Sequence, residues 1–241
     1  MDAVSGRGDA VALTPPPWRY TLTEVPRGAA GVARLAAAYP SLRQAPRGRG
    51  QPVMLLPGLF NSDRSNVALW RYLASLGYAV EGWGLGRNLG QRAIGHDGAR
   101  LFARVEAMAV RHGAPVTLVG VSLGGLMARI AAQRMPDLVA RVVTISSPFA
   151  GPPTATRVWR AYQALSGARV EDPAVRALVE EAARPLPVPI TAIWSASDGL
   201  VGGAICRGED CDAVEVRSSH IWVQFNPEVW RAVAMALASR V

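Results

Sequence analysis

The sequence predicts an α/β protein: a mostly parallel central sheet with helices on both faces. Two observations carry this. Short apolar runs alternate with segments of helical periodicity from about residue 52 to the C-terminus. Such runs suit strands buried on both faces, as inside a parallel sheet whose crossovers are helices. The chain has 241 residues, 50% hydrophobic and 18% charged, which describes a folded globular protein with a sizeable core.

The elements follow in order. Residues 1–19 are polar and contain Pro15-Pro16-Pro17, so they read as a flexible arm ending in extended chain. Residues 24–39 are alanine-rich and predict a helix stopped by Pro40. Residues 46–50 are a turn. This sets off residues 1–50, an arm and a helix packing on the core, from a main domain over 51–241. There, residues 53–56 predict a strand. Residues 63–76 predict a helix capped by Asp63 and ended by Gly77. Residues 78–80 are a short strand before the glycine-rich loop 82–86. Helices are expected over 97–112 and 123–135, with strands over 116–119 and 139–145. A helical insert at about 150–187 breaks the rhythm. Strands at 190–194 and 213–216 and a helix over 228–240 close the chain.

The 26 basic residues are all arginine, and the formal net charge is +8. The arginines are scattered, with no run of five like charges, which reads as a solvated basic surface and not a nucleic-acid site. No apolar stretch is long enough to span a bilayer. No signal peptide is visible, so a cytoplasmic protein is expected, or a secreted one if a leader was removed. Cys206 and Cys211 could close a small loop or remain two thiols. No Cys/His cluster accompanies them, so no metal site is expected.

One segment carries chemistry. Gly120-Val121-Ser122-Leu123-Gly124 lies between a predicted strand and a predicted helix, the context that gives a G-x-S-x-G pattern its meaning. A serine there must turn in a strained conformation that lifts its hydroxyl above the sheet. The flanking glycines avoid collision with neighbouring backbone. Serine alone is a poor nucleophile and needs a base, which needs an orienting acid. His220 is the only histidine after Ser122; His96 and His112 read as helix-terminal surface residues. Asp198 follows the strand at 190–194 and is the expected acid; Asp210 and Asp212 look solvated. A developing oxyanion needs two backbone donors. Leu123, just after the serine, and Leu59, just after Gly58, are the expected pair, with Phe60 in reserve.

The segments LLPGLFNSD, GYAVEGWGLGRNLG, VGVSLGG, TISSPFAG, WSASDGLV and RSSH, in that order, resemble the α/β-hydrolase superfamily, especially compact bacterial serine esterases and lipases. The resemblance runs from about Pro52 to the C-terminus. Many relatives have His-Gly where this chain has Pro57-Gly58. The resemblance implies the α/β-hydrolase fold with a small helical cap supplied by 150–187. It also implies Ser122 as nucleophile, His220 as general base, Asp198 as its orienter, and no cofactor. The expected partner is a small-molecule ester, with neither nucleic acid nor stable membrane insertion; the oligomeric state is open. Phe60, Trp83, Phe149, Trp159, Trp194 and Trp222 are candidate pocket walls, suiting a short or medium acyl or aryl group. The same triad could serve thioesters, amides, lactones or polyesters, or acyl transfer. A non-catalytic binding protein on this fold is the competing class.

Overall fold

A computed structural model describes residues 14–166, 169 and 171–239. The first thirteen residues of the expected arm over 1–19, three residues of the insert and the last residue of the expected closing helix lie outside the described residues.

The helices are α1 (Trp18–Leu22), α2 (Glu24–Leu42), α3 (Asp63–Ser75), α4 (Gln91–Ile94), α5 (Ala99–His112), α6 (Leu123–Arg134), α7 (Trp159–Ser166), α8 (Pro173–Ala183) and α9 (Pro227–Ala238). The strands are β1 (Pro52–Leu56), β2 (Ala79–Gly82), β3 (Val116–Val121), β4 (Val139–Ile145), β5 (Ile190–Trp194) and β6 (Asp212–Glu215). They form one six-stranded sheet in the order β2-β1-β3-β4-β5-β6. Every neighbouring pair is parallel.

Alternation along the central strands divides the core. Val53 and Leu55 of β1 and Val119 and Val121 of β3 join the cluster under α2, α3 and α9. Met54, Leu56, Val116 and Leu118 join the cluster under α5 and α6. Both faces are thus sealed, which is why these strands read as continuous apolar runs. β6 is an edge strand, and three of its four residues are exposed.

Several expectations change. Chain from Trp18 is helical, not extended. The helix at 24–39 continues through Pro40 to Leu42. Proline there costs one bond of the last turn, and Leu42 holds that turn by burial against the core and by accepting from Tyr72 Oη at 3.1 Å. Asp63 does not cap α3; Ser62 occupies that position. The Asp63 carboxylate instead accepts the amides of Trp83 at 3.0 Å and Gly84 at 3.1 Å, anchoring the loop after β2. The short α4 adds a helical turn between β2 and α5. Cys206 and Cys211 are free thiols.

The segment between β4 and β5 carries α7 and α8. Buried Arg129 of α6 donates to the carbonyls of Ala182 and, at 2.7 Å, Arg184, pinning the end of α8 to the core.

Candidate active site

The candidate residues converge at the C-terminal end of the sheet. β2 and β3 lie on opposite sides of β1, so the loops after β1 and β3 diverge and leave a crevice.

Ser122 joins β3 to α6 with φ 50° and ψ −117°. A left-handed serine of this kind stores roughly 1–3 kcal/mol of strain, which the surroundings must hold. Close packing holds it. A side chain on Gly120 would strike the Gly124 carbonyl, and one on Gly124 would sit 2.5 Å from the Leu56 oxygen and 2.7 Å from that of Pro57. The Ser122 amide is tied to the Ile145 carbonyl at 2.8 Å.

His220 lies in the loop after β6, with Nε2 3.2 Å from Ser122 Oγ. Its Nδ1 is 2.8 Å from Asp198 Oδ2. An ionised carboxylate only accepts, so Nδ1 carries the proton and Nε2 faces the serine as acceptor. Asp198 is 2% exposed. Its Oδ1 accepts the amides of Leu200 at 2.9 Å and Val201 at 2.8 Å, which fixes the carboxylate in the turn after β5. Ser195 Oγ, bonded to Ser218 O at 3.0 Å, ties the two loops together.

Burial works against the imidazolium, but the Asp198 charge, its hydrogen bond and the Glu24 charge more than offset it; His220 titrates above its ordinary value. A base must be neutral to accept a proton. Reaction at Ser122 through His220 is therefore expected to rise with pH along a limb centred above about 6.5. The rate of covalent labelling of Ser122 against pH measures it, and a midpoint below that value contradicts it.

Leu59 and Leu123 both line a cavity of about 130 Å³ that also reaches Ser122. Neither amide is taken by a carbonyl in the described turns and loops. The Phe60 amide donates to Asn88 O at 2.8 Å, so it is not free to hold a reacting oxygen. The cavity floor is Leu126, Met127 and Ile130 of α6, and its far wall is Trp159 and Tyr162 of α7 with Val175, Leu178 and Val179 of α8.

Of the six aromatic candidates, Trp159 lines this cavity and the other five are absent from its lining. Trp83 is fully buried under the sheet, its Nε1 donating to Gly86 O at 3.0 Å. Phe149 lies buried beneath the Arg129 guanidinium, 3.9 Å from the ring centre. Trp194 packs with Val201 and Ile205 in a separate cluster. Phe60 is half-buried, and Trp222 is exposed. The physical reason is direction: a residue in a site loop can point its ring down into the core as readily as into the crevice.

Two residues of the site were not singled out from sequence. Buried Asn88 donates Nδ2 to Pro57 O at 2.7 Å and accepts the Gly90 amide at 3.1 Å, bracing the loop that carries Leu59. The Asn-Leu-Gly turn was its only signal. Glu24, at the start of α2, accepts the amides of Gly199 and Ile221. Nothing in its local sequence separates it from an ordinary helix-start acid. Among the described residues no group of three or more His, Cys, Asp or Glu is placed to hold a metal ion, and no helix is long and apolar enough to cross a membrane.

With this geometry in hand, comparison places the architecture. Residues 111–170 match the family model described as alpha/beta hydrolase fold. The solved structure of mature Bacillus licheniformis lipase BlEst2 superposes with a TM-score of 0.59 at 16% identity, over 81% of this chain and 94% of that one. Aspergillus fumigatus lipase B gives 0.55 at 17% identity over 79% of this chain, which spans only 53% of that lipase. Paleococcus ferrophilus monoacylglycerol lipase gives 0.53 at 18% identity, over 78% and 95%. A search of curated proteins finds no match. The chain has the α/β-hydrolase fold.

Proposed function

We propose that the protein is a serine hydrolase that cleaves carboxylic esters of short or medium acyl or aryl groups through an acyl-enzyme on Ser122. One observation carries the reading: an unbroken hydrogen-bond path from Asp198 through His220 to Ser122, ending at an apolar cavity. Likeness in fold to three lipases supports hydrolysis as the reaction class.

In this reading Ser122 Oγ attacks the ester carbonyl carbon while His220 Nε2 takes its proton. The carbonyl electron pair moves onto oxygen, which the Leu59 and Leu123 amides hold, each donor contributing about 3 kcal/mol. Collapse re-forms the carbonyl, breaks the bond to the alkoxy oxygen, and the imidazolium protonates the departing alcohol. Water then gives a proton to Nε2 and attacks the acyl carbon. The second collapse releases the carboxylic acid and returns the proton to Ser122. Residues 51–241 act as the hydrolase domain, and the insert at about 150–187 acts as a cap. A cavity of about 130 Å³ favours short or medium chains.

Intact-mass labelling with a fluorophosphonate tests the reading. One adduct is expected on the wild type and none on Ser122→Ala. A panel of esters should show activity falling with acyl length. A folded wild type that takes no adduct overturns the reading; equal or better turnover of long-chain emulsions overturns the chain-length preference.

A further inference from the structure

Glu24 plays no part in the steps above, yet it is only 1% exposed and it joins the loops that carry Asp198 and His220. Oε1 accepts the Gly199 amide and Oε2 the Ile221 amide, both at 2.8 Å. Each donor is the residue immediately after a member of the relay. A buried carboxylate must replace lost hydration with strong donors, and Arg27 Nη2 supplies a third at 2.9 Å to Oε1. Around this carboxylate the first two helices grip the same loops. Thr21 Oγ1 donates to Gly199 O at 2.7 Å. A side chain on Gly28 would sit 2.7 Å from the Ile221 oxygen, and one on Gly199 would sit 2.5 Å from the Tyr20 oxygen.

Resting on the serine-hydrolase reading, we infer that Glu24 is a positioning residue of the site. It sets the spacing of the Asp198 and His220 loops through their backbones and places a second negative charge behind the imidazole. His220 is faced by Asp198 from the loop after β5 and by Ser122 from the elbow, and it feels the charge of Glu24 from α2, whose own partner is Arg27. Cys206, buried nearby, stays a neutral thiol because burial pushes its titration well up, with the Asp198 charge adding to it.

The test uses the full chain, Ser122 phosphonylation as a function of pH, and steady-state hydrolysis of a short p-nitrophenyl ester. Glu24→Gln keeps the shape, removes the charge, and turns an NH2 group toward a backbone N–H. Labelling is expected to slow about tenfold or more, with kcat carrying the loss and KM little changed. The rising limb moves to lower pH, because the imidazolium has lost an anion. Arg27→Met leaves the Glu24 carboxylate and its two amide donors in place while removing the cation paired with it and that cation's bonds to Tyr20 O and Ser218 O, and with Glu24 less neutralised its limb moves to higher pH. A merely structural role lowers the melting temperatures and leaves both limbs at the wild-type position; that result, or a wild-type rate in Glu24→Gln, overturns the inference. If Glu24→Gln does not fold, Arg27→Met decides alone, and a limb that stays or moves down overturns it. A folded wild type that takes no label sinks the hydrolase reading and this inference with it. A reactive wild type with unmoved limbs in the variants sinks this inference only.

Discussion

Asp198→Asn is expected to lower kcat by roughly 10⁴-fold while the protein stays folded. The reason lies on the far side of the carboxylate. Asp198 Oδ1 accepts two backbone amides, those of Leu200 and Val201. An asparagine must keep its one oxygen there, because turning NH2 toward two N–H donors would leave buried groups unpaired. Its NH2 therefore faces His220 Nδ1, which can then only accept. The imidazole proton moves to Nε2, the atom 3.2 Å from Ser122 Oγ, and a protonated Nε2 cannot take the serine proton. Ester hydrolysis and fluorophosphonate labelling both measure the loss, with circular dichroism as the control for folding. Near-wild-type turnover would mean that His220 is not the base.

Trp83→Ala is expected to cost about 3–5 kcal/mol of stability. The indole is fully buried among Met54, Leu56 and Leu101 under the sheet. Truncation removes that burial, leaves a cavity the packed neighbours only partly fill, and strips Gly86 O of its donor at 3.0 Å. In a domain of this size the loss corresponds to a fall of about 6–20 °C in melting temperature. Trp159→Ala makes the contrast: its ring is part of the cavity wall and is not fully buried. It should raise KM for a short ester and leave the melting temperature nearly unchanged. The reverse pattern would place the acyl group against Trp83 and overturn this assignment.

The hydrogen-bonded set Asp198–His220–Ser122 was legible in sequence because each member sits in a recognisable local context. A left-handed serine between strand and helix needs small neighbours, and Gly120 and Gly124 advertise that need. Strand β5 and the turn at Asp198-Gly199 are equally visible, and one histidine remains downstream. The aromatic walls were not legible. Trp83 and Trp159 both lie near the expected crevice, yet one points into the core and the other into the cavity. That choice depends on what fills the space on either side, which no spacing records.

What the sequence by itself determined was the sheet of buried strands, the strand–turn–helix at Ser122, and the candidate set Ser122, Asp198 and His220 that folding brings within hydrogen-bond distance. The strands and the turn follow from periodicity, turn chemistry and the steric needs of single residues, and Asp198 and His220 from their order along the chain after Ser122. Tertiary structure alone decided that Asp63 would serve the loop after β2 instead of capping its own helix, and that Asn88 would brace the Leu59 loop. It also brought Glu24, 175 residues from Gly199 and 197 from Ile221, between the two loops of the relay. A buried polar side chain takes its partner from whichever backbone group folding leaves unpaired beside it. The partner is therefore set by the packing of distant elements, and local sequence carries no trace of it.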